Sequence, residues 1–205
     1  VKEKSAPLDQ QNDFIKIKEI AERDNFIDVK TRGKLKHISE NAREKFVKKI
    51  LSFVDAQNLK PLKIVVNCGN GTAGPTFNAI SKKLSKYPSG PRFFMIQEKP
   101  DSKFPNGIPN PMLKENRNVT SKAVVDLSAD FGIAFDGDFD RCFFFDNTGQ
   151  FISGEYVVGL LSSFFLKKEK KCKIVYDSRA MWNIEDLIKQ SSGIGIVSKT
   201  GHSFL

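Results

Sequence analysis

The chain has 205 residues, 40% of them apolar, and a formal net charge of +9. That composition excludes a disordered chain and supports one large or two small packed domains. No apolar run nears the roughly 20 residues of a membrane span, and so basic a balance favours anionic partners, either nucleic acid or small phosphorylated molecules.

Taken in chain order, residues 1 to about 38 are polar and mixed. A helix is predicted over 14–25, with Ile15, Ile17, Ile20 and Ala21 partly on one face, and 28–37 reads as a linker. Ser39 is placed to cap a following helix, with Glu40 and Glu44 in its early turns. Phe46, Ile50 and Val54, beside Val47 and Leu51, carry that helix to about Gln57. A β–α alternation follows. Leu62–Asn67 is a buried-strand pattern, and CGNGTAGP at 68–75 follows it. That turn lacks the Lys-Ser/Thr of a nucleotide loop and reads as a tight strand-to-helix connection. A helix over 75–84, a strand over 92–97 and an irregular Pro- and Asn-rich stretch over 99–113 come next. A helix over 118–128 leads to strands at 131–135 and 142–145, and Asp146-Asn147-Thr148-Gly149 is a turn signal.

This order predicts a layered α/β domain with a mainly parallel, mixed sheet. From Gly154 a second, similar α/β domain begins: a helix to Leu166, a strand at 173–177, a helix at 181–190 and a strand at 194–198. The lysine-rich run 167–173 reads as a solvated turn between helix and strand. A start at Val1 and an end at Leu205 within a loop-like stretch read as a piece of a longer protein. Cys68, Cys142 and Cys172 are odd in number and lack a CxxC pair, which argues against a zinc site and for reduced thiols in a cytoplasmic protein.

The densest chemistry lies at Asp136-Gly137-Asp138-Phe139-Asp140-Arg141, directly after a hydrophobic strand. Three alternating carboxylates can converge in a tight turn. Their mutual repulsion pushes each pKa upward, and a hard cation such as Mg²⁺ relieves it. An EF-hand calcium loop needs Gly at its sixth position and Glu at its twelfth, which here are Arg141 and Asn147. A phosphatase-type Asp nucleophile needs only two of the acids, and Arg141 and the third Asp fit it poorly. An acidic surface turn paired with lysines is the plain alternative. The end of a parallel strand is, however, where ligands bind in such sheets.

The stretch IAFDGDFDRCFFFD at 133–146 resembles the metal-binding loop of the α-D-phosphohexomutases. LKIVVNCGNGTAGP at 62–75, FPNGIPNPML at 104–113 and SKTGHSF at 198–204 agree with that family in order and spacing. The Phe139 variant resembles the bacterial members that serve GDP-mannose synthesis. The resemblance implies a second family domain at 39–153, preceded by the tail of the first at 1–38 and followed by part of the third at 154–205. It implies Mg²⁺ held by Asp136, Asp138 and Asp140, and Arg141 beside a phosphoserine of the first domain. It further implies phosphosugar contacts at Arg179, Thr200, Gly201 and His202. The implied reaction interconverts sugar 6- and 1-phosphates through a phosphoserine and a sugar bisphosphate, with mannose expected and glucose the alternative. Neither nucleic acid nor membrane is an expected partner. The rival, a basic α/β module binding nucleic acid, predicts salt-sensitive DNA or RNA binding without metal dependence. Two departures stand out: the family's Ser-His-Asn-Pro and Gly-Glu-Met-Ser motifs are absent from these 205 residues. The chain alone is therefore expected to show no turnover. Trp182 and Phe204 read as packing residues, and Asp177 as either a strand-end cap or a site residue.

Overall fold

A computed structural model describes residues 8, 9, 11–169 and 171–201, with the backbone alone for Ala180 and Trp182. The chain divides into two units, residues 38–157 and a second drawn from residues 1–37 and 158–205.

In the first unit five strands form one sheet: β1 (Lys63–Asn67), β2 (Arg92–Ile96), β3 (Phe131–Phe135), β4 (Cys142–Phe145) and β5 (Phe151–Ile152), ordered β2-β1-β3-β4-β5. β1 runs parallel to β2 and β3, whereas β4 is antiparallel to β3 and β5 to β4. The mixed, mainly parallel sheet matches the sequence expectation. β5 has two residues and left no pattern to read.

Parallel neighbours need crossovers, and two helices supply them: α3 (Ala73–Leu84) from β1 to β2, and α4 (Asn118–Asp126) from β2 to β3. Since β1 lies between β2 and β3, the two crossovers run in opposite directions and cover opposite faces. The side chains of β1 alternate accordingly. Ile64 and Val66 pack with Phe77 of α3, and Val65 packs with Val124 of α4.

Behind α3 lies α2 (Ser39–Leu51), whose Val47 joins Ile80 and Leu84. Two sequence expectations fail here. Ser39 is the first helical residue rather than the cap, which is Ile38, and no side-chain cap bond forms. The helix also stops at Leu51, short of Gln57. Asp55 explains the early stop. Its carboxylate accepts from the Gln57 N–H and the Asn58 side-chain amide, which stabilises a separate 3-10 turn, Ala56–Asn58.

The second unit contains α1 (Asp13–Glu22), α5 (Gly154–Lys168, which begins in the first unit), β6 (Lys173–Asp177), α6 (Met181–Gln190) and β7 (Ile194–Ser198). β6 and β7 pair in parallel. Leu166 of α5, Tyr176 of β6 and Ile184 and Ile188 of α6 form the core. α1 is shorter than the predicted 14–25 and buries no residue.

Candidate metal centre

The C-terminal ends of β1, β2 and β3 point the same way, and three loops meet there. The acidic loop leaves β3 at Phe135 and re-enters the sheet at Cys142, its opposite partner in β4. Asp136 and Arg141 close it. The Arg141 N–H and Nε donate to the two Asp136 carboxylate oxygens at 3.1 and 2.7 Å, and the Asp136 N–H donates to the Arg141 carbonyl at 3.4 Å. Asp136 is 1% exposed, whereas Asp138 and Asp140 face solvent. Carboxylate oxygens of all three lie within 4.8 Å of one another.

The three acids are not electrostatically alike. Burial pushes the Asp136 carboxyl up, but the hydrogen bonds from the Arg141 backbone and guanidinium outweigh it and hold the group below the usual carboxylate range. Asp140 moves upward, chiefly because it shares a hydrogen bond with Asp136 and stands among like charges. The expectation that crowding raises every member therefore fails at Asp136, because Arg141 folds back across the loop. The Nε of Arg141 also lies 3.4 Å from Asp140, so both acids occupy one edge of the guanidinium.

Oxygens around a divalent cation at about 2.1 Å stand roughly 3 to 4 Å apart. The present spread closes to that by small rotations of two solvent-facing side chains. One buried, fixed carboxylate and two adjustable ones fit a hard cation.

The Gly-rich turn 68–72 is the second loop. Asn67, at the end of β1, is buried. Its amide donates to Thr120 Oγ1 of α4 at 3.0 Å and its oxygen accepts from the Gly69 N–H at 2.9 Å. From there the turn abuts the acidic loop: the Thr72 N–H donates to the Gly137 carbonyl at 3.0 Å. A Cβ on Gly71 would stand 2.5 Å from that same oxygen, so only glycine fits.

The third loop is 104–113. The Asn106 amide donates to the Asn70 side-chain oxygen at 2.8 Å, and Pro109 sits where a Gly69 Cβ would be. Arg117 fixes its far end, donating to the carbonyls of Pro111 and Met112 at 2.9 and 2.7 Å while stacking 3.6 Å over the Phe151 ring. CGNGTAGP is thus a structural turn, as its sequence implied, but its neighbours make it the wall of the acidic loop. The Gly-x-Gly spacing was the only trace of that role.

The other predicted site residues belong to the second unit. Arg179 is 69% exposed and pairs with Asp177 at 2.6 Å. Asp177 also accepts from the Arg179 N–H at 2.8 Å, capping the 3-10 turn Ser178–Ala180, so its cap role is the one observed. Thr200 and Gly201 follow β7, with Gly201 at φ +127°. His202 and Phe204 lie outside the described residues, as does the Trp182 side chain.

Residues 44–149 match the family model described as phosphoglucomutase/phosphomannomutase, alpha/beta/alpha domain II. The chain belongs to that family. It is 44% identical over 207 residues to a phosphomannomutase of Salmonella montevideo, covering 100% of this chain and 45% of that protein. A crystal structure of a phosphoglucomutase/phosphomannomutase family protein from Burkholderia thailandensis superposes with TM-score 0.70 at 29% identity, covering 79% of this chain and 34% of the other. N-acetylphosphoglucosamine mutase of Aspergillus fumigatus, solved in complex with GlcNAc-6P and magnesium, shares the fold at TM-score 0.56 and 20% identity over 80% of this chain and 34% of that one. The chain spans less than half the length of the curated relatives it matches. Among the described residues, no helix is long and apolar enough to cross a membrane.

Proposed function

We propose that these residues form the metal-binding part of a phosphomannomutase, which interconverts mannose 6-phosphate and mannose 1-phosphate. The observation that carries this is the convergence of three carboxylates within 4.8 Å beside Arg141, in a chain 44% identical to a phosphomannomutase. Asp136, Asp138 and Asp140 would hold Mg²⁺, the metal in the Aspergillus fumigatus complex. When bound, that cation supplies positive charge against the oxygens of a transferring phosphoryl group.

The chain's own residues do the rest. Arg141 fixes Asp136 through Nε and leaves its terminal nitrogens for an oxyanion, the fork geometry that suits phosphate. Its charge is secure, because its hydrogen bond to Asp136 shifts it further from deprotonation. In the second unit, Arg179, Thr200, Gly201 and His202 would contact the phosphosugar. The resulting catalysis rests on positioning and charge.

The test is a Mn²⁺ titration followed by electron paramagnetic resonance, with the chain and Asp138→Asn side by side. The variant is expected to bind at least about ten-fold more weakly. In the gene product carrying these residues, Asp138→Asn should also suppress formation of mannose 1-phosphate, followed by phosphorus NMR. Equal Mn²⁺ binding by both proteins would overturn the metal assignment.

A further inference from the structure

Phe139 is the one large apolar residue among six in the acidic loop, and its backbone is unusual. Its φ is +67°, a region bulky side chains rarely adopt. Glycine would sit there without strain, so something must hold phenylalanine in place. Its ring stands edge-on to Phe135 of β3 at 4.7 Å and 6.5 Å from Phe46 of α2, and it packs against the cluster of Ile64, Val66 and Phe77. The acids on either side of it, Asp138 and Asp140, are exposed.

We propose that Phe139 is a positioning residue: its ring, held between β3 and α2, sets the turn that brings Asp138 and Asp140 onto Asp136. Side chains alternate sides along an extended strand, and Phe139 packs in the same cluster as Phe131, Ile133 and Phe135 of β3. With the ring of 139 fixed inward, 138 and 140 are turned outward together. The only other apolar element of the loop is Gly137, which has no side chain to anchor. The shorter bonds of the loop, from Arg141 to the Asp136 carboxylate and from Thr72 to the Gly137 carbonyl, pin 136, 137 and 141; the one backbone bond reaching 139, from its N–H to the Asp136 carbonyl, is long at 3.4 Å, so at 138–140 the ring of Phe139 is the firmer hold. Phe46 extends the anchor to α2, which makes that helix part of the support of the loop as well as the outer cover of α3.

The inference rests on the metal reading above, and the experiment separates the two. Phe139→Gly permits the positive φ freely but removes the ring; Phe139→Tyr keeps the ring. Mn²⁺ affinity is read by electron paramagnetic resonance, and loop order by hydrogen exchange of the 136–141 amides without metal. Phe139→Gly is expected to bind Mn²⁺ about ten-fold more weakly than wild type, and Phe139→Tyr within about three-fold. In metal-free protein, Phe139→Gly should exchange the 137–140 amides faster while β1 stays protected. Should Phe139→Gly fail to fold, Phe46→Ala decides, because it removes only the outer, half-exposed partner; it is expected to speed exchange at 138–140. Unchanged loop exchange and Mn²⁺ affinity in the folded variants would overturn the proposal. Absence of Mn²⁺ binding by wild type would instead overturn the metal reading, and the exchange data would still decide the role of Phe139.

Discussion

β1 and β6 begin with the same three residues, Lys-Ile-Val, yet meet different surroundings. In β1 the third residue, Val65, has no exposure; in β6 the third, Val175, is 46% exposed. β1 has a parallel neighbour on each edge and a helix on each face. β6 pairs with β7, and one of its faces meets α6 through Tyr176, Ile184 and Ile188. An apolar strand pattern therefore states only what a strand is able to bury. The layers around it decide what is buried, and each unit supplies different layers.

The largest effect should come from placing a charge at the equivalent position of each strand. Val65→Asp buries an unpaired carboxylate among Val124, Ala134 and Phe145, at an expected loss of about 4 kcal/mol or more. Val175→Asp leaves its carboxylate hydrated and should change stability by less than about 1 kcal/mol. Urea unfolding, with hydrogen exchange assigning each transition to a unit, measures both. Comparable losses at the two sites would mean that the two strands share one kind of environment after all.

A second pair of substitutions sharpens the contrast. Gly71→Ala drives its Cβ to 2.5 Å from the Gly137 carbonyl oxygen and 2.9 Å from its Cα, and backbone cannot rotate away. The expected loss is about 1–3 kcal/mol, accompanied by weaker Mn²⁺ binding as the acidic loop shifts. In α5 of the second unit, Gly159→Ala meets Leu187 Cδ1 at 2.6 Å and Asn183 Nδ2 at 2.9 Å, both ends of flexible side chains. Alanine there gains about 1 kcal/mol of helix propensity over glycine, so the net change should be near zero. Thermal melts and a Mn²⁺ titration check the pair. A neutral Gly71→Ala would show that the Gly-rich turn does not brace the acidic loop.

These contrasts show which features the sequence displayed. Alternating acids directly after an apolar strand exposed the candidate site, because carboxylate spacing and strand period are both local. The four longer strands of the large sheet, β1 to β4, were legible for the same reason, whereas the two residues of β5 were not. Long-range pairings were not. Thr72 and Gly71 meet Gly137 only because β1 and β3 are neighbours in the sheet, and nothing near residue 71 announces that. The downward shift of Asp136 was also hidden. Arg141 is close in sequence, but its guanidinium reaches Asp136 only once β3 and β4 have closed their hairpin. Helix ends were overrun where a local side-chain bond competed with the helix, as at Asp55. The inward ring of Phe139 was hidden because β3 ends at Phe135, and nothing in the loop sequence says that its side-chain alternation carries on to 139 and meets Phe46 of α2.

The smallest expected effect comes from two aspartates that stabilise turns, one in each unit. Asp146 Oδ1 accepts from the Thr148 N–H at 2.9 Å, the Thr148 hydroxyl at 2.7 Å and the Gln150 N–H at 2.9 Å. The Thr148 hydroxyl is the leading cause that holds its carboxyl below the usual range. Asp177 is also lowered, but by the Arg179 side chain first and the Arg179 N–H second. A folded-state pKa below the unfolded value of about 4 adds stability that is present above pH ~4 and lost as pH falls through the folded value. Asp146→Asn and Asp177→Asn should each therefore cost about 1 kcal/mol or less at pH 7, and the differences from wild type should vanish in acid. Salt separates them. The Asp177–Arg179 pair is an ion pair whose arginine is 69% exposed, so 1 M NaCl should erase most of its contribution. Asp146 bonds to uncharged donors, and its contribution should survive. Urea melts at pH 7 and pH 3, each with and without salt, measure all four conditions. A salt-sensitive Asp146, or a salt-resistant Asp177, would show that the two turns are held by forces other than the ones their geometry assigns.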